Sequence, residues 1–225
     1  MPVLPKRFLF RFRVPCRYTS QSWTVKGLSL DETYRIPSFC ELESGDVAAG
    51  SPPQGSFDLR VAWSEKGLFF SVDVFGKRKP LWSRVTQPDE SDGVQICLDT
   101  RNIKDTHRAT RFCHRLVFLP MQSAQGKPHP FVAWLPIHRA QAHPNPVDIE
   151  FIKAVSSLKS DGYRMNIFIP STALTGYNPK EHSEVGFHFT LADKEFGNQH
   201  VFVQEPLPVE QDPSLWGTLL LMPQT

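Results

Sequence analysis

Two stretches of the chain, Phe57-Leu59-Val61-Trp63 and Leu68-Phe70-Val72-Val74, place apolar residues at every second position, and only Ser64-Glu65-Lys66-Gly67 separates them. A period of two sends alternate side chains to one face of an extended strand, so each stretch needs an apolar layer to cover it. The pair reads as a β-hairpin. The same alternation predicts a first strand over residues 7 to 14, where Phe8, Phe10, Phe12 and Val14 share a face, and strands over 92 to 100 and 111 to 119. Further strands are expected near 131 to 136, 149 to 156, 163 to 169, 186 to 192, 200 to 204 and 216 to 222. Residues 21 to 54 lose the pattern, and Gly50-Ser51-Pro52-Pro53-Gln54-Gly55 is loop chemistry. Proline, at 20 of 225 residues, is nearly twice its average usage of about 5%, which disfavours long helices. One helical turn is expected at Ser171-Thr172-Ala173-Leu174, with Ser171 as its N-cap. Many short strands joined by turns predict an all-β fold, an antiparallel β-sandwich spanning residues 1 to 225 as one domain.

Charge narrows the function. The 25 basic and 23 acidic residues give a net charge of +2, too little for a field that would gather nucleic acid or an anionic membrane. Lys6, Arg7, Arg11 and Arg13 interrupt any apolar run that could act as a secretory signal. Cys16, Cys40, Cys97 and Cys113 are scattered and form no CxxC pair, which suits buried free thiols in a reducing, cytoplasmic setting. The chain has no GxSxG, HExxH or P-loop, and a non-catalytic role is expected.

The period of two also sorts polar residues. Gln95, Cys97 and Asp99 oppose Val94, Ile96 and Leu98, and Arg115 opposes the Phe112/His114/Leu116 face. Paired strands would bring Gln95 and Arg115 onto one surface. His188 and Thr190, turned away from Phe187, Phe189 and Leu191, would join it. Cys113 and His114 point to opposite strand faces, so a shared zinc site is not expected there. Arg108 and Arg111 are expected to pair with Asp99, Asp105 or Glu90, the alternative being a carboxylate or phosphate ligand. Asp92 and Asp99 are expected to shape turns and strand ends.

Three blocks carry a resemblance. They are Val61-Ala62-Trp63-Ser64-Glu65-Lys66-Gly67-Leu68-Phe69-Phe70, then Trp82 followed by Asp92-Gly93-Val94-Gln95-Ile96-Cys97-Leu98-Asp99-Thr100-Arg101, and last Gly162-Tyr163-Arg164 through Gly186-Phe187-His188-Phe189 to Asp212-Pro213-Ser214-Leu215-Trp216-Gly217. In this order they resemble the family 9 carbohydrate-binding modules and the wider DOMON-like β-sandwiches, over about residues 57 to 225. The segment 1 to 56 would be an added strand and an irregular lead-in.

The resemblance implies a sugar held between two tryptophans, with polar sheet residues bonding its hydroxyls. Trp82 falls at the first platform, while Glu210 stands where the family has the second tryptophan. Gln95 and Arg115 match the family's polar strand positions, and Trp216 is expected to pack against the core. The implied ligand is a carbohydrate or nucleotide sugar, and a protein partner remains an alternative if the sugar face has been repurposed. The family's calcium binding implies a structural ion, with Asp89, Glu90 and Asp92 as candidates. The DOMON likeness offers another alternative, a haem-binding electron-transfer domain, with Met165 and the eight histidines as possible ligands. Any tie to glycoside hydrolysis would come through an associated enzyme.

Overall fold

A computed structural model describes residues 12–36, 57–122, 129–202 and 207–224. Among the described residues eleven strands alternate with turns: β1 Arg13–Tyr18, β2 Phe57–Ser64, β3 Gly67–Val74, β4 Gly93–Asp99, β5 Cys113–Leu119, β6 Phe131–Trp134, β7 Lys153–Lys159, β8 Gly162–Pro170, β9 Glu184–Ala192, β10 Gln199–His200 and β11 Gly217–Leu221. Sheet A runs β6-β5-β4-β9-β11-β1, with β10 paired to β9, and sheet B runs β1-β2-β3-β8-β7. All pairings are antiparallel except those of β1, which lies parallel to β11 through residues 13–16 and parallel to β2 through 17–18.

The hairpin forms as its sequence predicts, with Phe57 opposite Val74 and Ser64 opposite Gly67. Gly67 has φ of 143°, and a Cβ there would lie 2.1 Å from the Ile169 carbonyl oxygen, so only glycine fits this corner. The alternation fills the space between the sheets. Leu59, Val61, Phe70, Val72, Met165 and Ile167 of sheet B meet Val94, Ile96, Leu116, Phe118, Phe187 and Phe189 of sheet A. Aromatic pairs cross the layer, Phe57 with Phe189 at 5.3 Å and Phe70 with Phe187 at 6.0 Å. Burial of each such side chain contributes about 1.5–3 kcal/mol. Met165 sits in this core.

Several boundaries differ from expectation. The first strand begins at Arg13, and its expected portion over residues 7–11 lies outside the described residues. Pro15 is tolerated because β1 is the edge strand of sheet A at that point, where a missing N–H costs no ladder bond. Residues Ile149–Phe151 form a 3₁₀ turn, since the Asp148 side chain accepts from the Glu150 N–H and holds the backbone off the sheet until Lys153. The turn at Ser171–Ala173 exists, but its N-cap position is Pro170, and Ser171 lies inside it. Further 3₁₀ turns occur at Glu32–Tyr34, Pro88–Glu90 and Pro213–Leu215. Of the expected strand at 200 to 204, Gln199–His200 is present, and 203–206 lie outside the described residues. Among the described residues no helix is long and apolar enough to cross a membrane.

Candidate ligand-binding face

The outer face of sheet A carries most of the polar residues singled out from sequence. Register places Gln95 between Thr190 on β9 and Val117 on β5, and Cys97 between His188 and Arg115. Arg115 donates from Nη2 to Gln95 Oε1 at 2.9 Å, and Gln95 Nε2 donates to the Asp89 carbonyl at 3.0 Å. The amide therefore links the strand arginine to the loop that follows Trp82. Arg115 Nη2 also meets Glu210 Oε2 at 2.8 Å, with the arginine side chain 12% and the glutamate 37% exposed. Glu210, which occupies the second platform position of the resemblance, thus reaches the same guanidinium that Gln95 holds. Arg115 Nε is buried and has no hydrogen-bond partner among the described residues.

His188 lies one strand over and is buried. It stacks on His200 at 5.3 Å, and the two rings share Thr190 Oγ1, 3.2 Å from His188 Nε2 and 2.9 Å from His200 Nδ1. Burial, then the neighbouring His200, pushes the His188 pKa down to about 3, so the ring is neutral at neutral pH.

Toward the other end of this face, Trp216 is buried against Cys97, Cys113, Ala109 and Ile137, and its Nε1 donates to the Val209 carbonyl at 2.6 Å. It covers the outer side of sheet A and takes no place between the sheets, because Cys97 and Cys113 sit on the outward set of the alternation. Burial raises both thiols to about 12, which keeps them protonated. The 207–216 segment is fixed further by Asp212, which accepts from the Ser214 N–H and meets His107 Nδ1 at 2.9 Å. These anchors set Glu210 beside Arg115.

The basic stretch before β5 behaves differently from expectation. Arg108 donates from Nε to the Arg139 carbonyl at 2.8 Å, and Arg111 lies over the Phe112 ring. Neither pairs with Asp99, whose carboxylate accepts from the Arg101 and Ile103 N–H groups and closes the turn after β4. His114 points inward, as its strand position requires, and accepts from the Thr175 N–H; burial lowers its pKa to about 4.

Trp82 stands at the opening of β4. Its N–H donates to Asp92 Oδ2 at 3.0 Å, and its carbonyl accepts from the Asp92 N–H at 2.8 Å. Ser91 Oγ accepts from the Arg84 N–H and donates to the Gln87 carbonyl, which closes the intervening loop. The indole is half-buried, with Arg84 Cζ and Lys194 Nζ each over the ring at 4.8 Å.

Behind Trp82 is a buried ionic knot with little signature in the sequence. Lys77 Nζ lies 2.6 Å from Asp193 Oδ2 and 3.2 Å from Asp92 Oδ2, with side chains 4%, 0% and 1% exposed respectively. Glu195 Oε2 follows at 3.9 Å, and the ammonium also sits 5.3 Å from the Phe196 ring centroid. The remaining carboxylate oxygens are committed: Asp92 Oδ1 accepts from the Lys194 N–H, and Asp193 Oδ1 accepts from Glu195 and Phe196. Asp92 does shape the strand end, but it is spent on an ammonium and two backbone donors. Of the calcium candidates Asp89, Glu90 and Asp92, Asp92 is engaged by Lys77 and by the Trp82 and Lys194 N–H groups; among the described residues no group of three or more His, Cys, Asp or Glu is arranged to hold a metal.

A groove of about 710 Å³ lies on the outer face of sheet B, lined by residues including Gln21, Lys26, Ser71, Asn166, Asp73 and Arg164. None of its described lining residues is aromatic.

Two facing sheets, one with its outward polar residues held under loops, define the chain as a β-sandwich. The family model described as carbohydrate family 9 binding domain-like matches residues 30–224, and the chain belongs to that family. The match reaches upstream of residue 57, into the segment expected to be additional. Two solved structures share the fold. A carbohydrate binding module family 9 from Caldicellulosiruptor kristjanssonii in complex with cellotriose is 18% identical, with a TM-score of 0.64 over 95% of each chain. The corresponding complex with glucose is 17% identical, with a TM-score of 0.63 over 95% of this chain and 97% of that one. No curated protein sequence matches the chain.

Proposed function

We propose that the chain is a non-catalytic carbohydrate-binding protein whose ligand sits across the Trp82, Arg115 and Glu210 end of sheet A. Family membership supports the ligand class, and the two structural neighbours hold cellotriose and glucose. The observation that carries the reading is the Arg115–Glu210 pair at 2.8 Å. A guanidinium beside a carboxylate presents donors and an acceptor side by side, which is what two adjacent sugar hydroxyls need to replace lost water. Trp82 supplies an apolar surface for the C–H face of a pyranose. Gln95 positions Arg115, and buried His188 backs the same row of side chains from β9. The carboxylate at position 210 substitutes hydrogen bonding for a second stacking ring.

Isothermal titration with glucose, cello-oligosaccharides and other mono- and oligosaccharides tests the reading. The wild-type protein should bind at least one saccharide, and Trp82→Ala and Arg115→Ala should each lose that binding while remaining folded. Unchanged affinity in both variants would refute the site.

A further inference from the structure

We infer that the saccharide taken on this face is anionic, a pyranose bearing a carboxylate, phosphate or sulfate; this rests on the carbohydrate reading above. Two cations from separate parts of the chain converge on one ring. Arg84 comes from the loop after Trp82 and Lys194 from the end of β9, and each lies 4.8 Å from the indole centroid. Their backbones are fixed, since the Arg84 N–H donates to Ser91 Oγ and the Lys194 N–H to Asp92 Oδ1, both at 2.8 Å. Their side chains are not spent. Among the described residues neither makes an ion pair or a side-chain hydrogen bond, and both residues are exposed.

The acids that might have neutralised them are engaged elsewhere. Asp92 and Asp193 hold Lys77, Glu195 accepts from the Arg78 and Lys79 N–H groups, and Glu210 pairs with Arg115. Asp89 and Glu90, on the same loop, form no ion pair with either cation. Any sugar stacking on Trp82 moves a cation aside and forfeits its cation–π contact, and a neutral sugar returns no charge partner for it. An anionic sugar offsets that loss by turning the displaced side chains into charge-assisted donors. The arrangement therefore discriminates by charge as well as by shape.

The test compares glucose, glucuronate, galacturonate, glucose 6-phosphate, glucose 6-sulfate and inorganic sulfate by isothermal titration at low salt. At least one anionic sugar should bind about tenfold or more tightly than glucose, with the margin shrinking as salt rises. The uronate, phosphate and sulfate arms identify which anion is preferred. In the Arg84→Gln/Lys194→Gln double variant, shown to be folded by its thermal melt, the affinity for that sugar should fall to the level of glucose. Glucose binding as tightly as every anionic sugar, or a preference that survives the double variant, overturns the inference and leaves the carbohydrate reading standing. Sulfate binding as tightly as the anionic sugars, unaffected by Trp82→Ala, overturns it as well, by reducing the site to a charge patch. Failure of every saccharide to bind overturns both.

Discussion

The outer faces of the two sheets are built from the same alternation and end in opposite states. On sheet B the outward positions of β2, β3 and β8 hold Asp58, Arg60, Asp73 and Arg164, which pair with one another and with Lys159 at the surface. On sheet A the outward positions of β4 and β9 hold Gln95, Asp99, His188 and Thr190, all buried. The first set is partly exposed and makes ion pairs that contribute little. The second lies beneath loops and has to be satisfied by specific partners, because an unmet buried polar group is expensive. A polar residue on a strand is therefore weak evidence for a site, whereas one that the fold has buried and partnered is stronger evidence.

That contrast is open to attack by mutation. The largest effect is expected behind Trp82. Lys77→Met strands Asp92 and Asp193 without their ammonium and should cost about 3–5 kcal/mol in denaturant unfolding. Calcium chloride or EDTA should leave the wild-type midpoint unmoved, since the internal ammonium already supplies the positive charge. A calcium-dependent midpoint would break this part of the account.

A second effect comes from pH. Burial depresses His188 to about 3 and His114 to about 4, both below the unfolded value of about 6.5. The unfolded chain therefore binds more protons than the native one in the window between, so the contribution of these rings to stability is complete above about 6.5 and is lost as pH falls toward 3. Urea midpoints at pH 7, 5 and 4 should drop in that order, and His188→Gln should flatten the slope. The smallest effect belongs to sheet B: Asp73→Asn should cost less than about 1 kcal/mol, as exposed pairs usually do, and leave saccharide affinity untouched. A large loss there would erase the distinction between the two faces.

Local pattern was enough for much of the scaffold. The hairpin, the strands around Gln95 and Arg115, and the side of the sheet each residue faces all follow from a period of two. The resemblance also marked Glu210 as the residue standing in for a tryptophan. Contacts between distant segments were not written locally. Lys77 sits in Gly76-Lys77-Arg78-Lys79-Pro80 and reads as one more loop cation, yet its partners are 15 and 116 residues away. Lys194 meets Trp82 only because β4 and β9 are neighbours. Trp216 is buried in an apolar cluster, as expected, but which face of sheet A it covers depends on the short turn before β11 and the bond to Val209. The parallel pairing of β1 escaped for the same reason, because alternation fixes which side is apolar and is silent about strand direction.

The most direct test of the central claim is ¹H–¹⁵N NMR mapping of the wild-type protein during titration with the tightest-binding member of the saccharide panel. The account predicts perturbations concentrated at the Trp82 indole N–H, the Arg115 Nε–H and the Gln95 side-chain amide. Perturbations centred instead on Ser71, Asn166 and Arg164 would move the site to sheet B, and no perturbation with any saccharide would contradict carbohydrate binding itself.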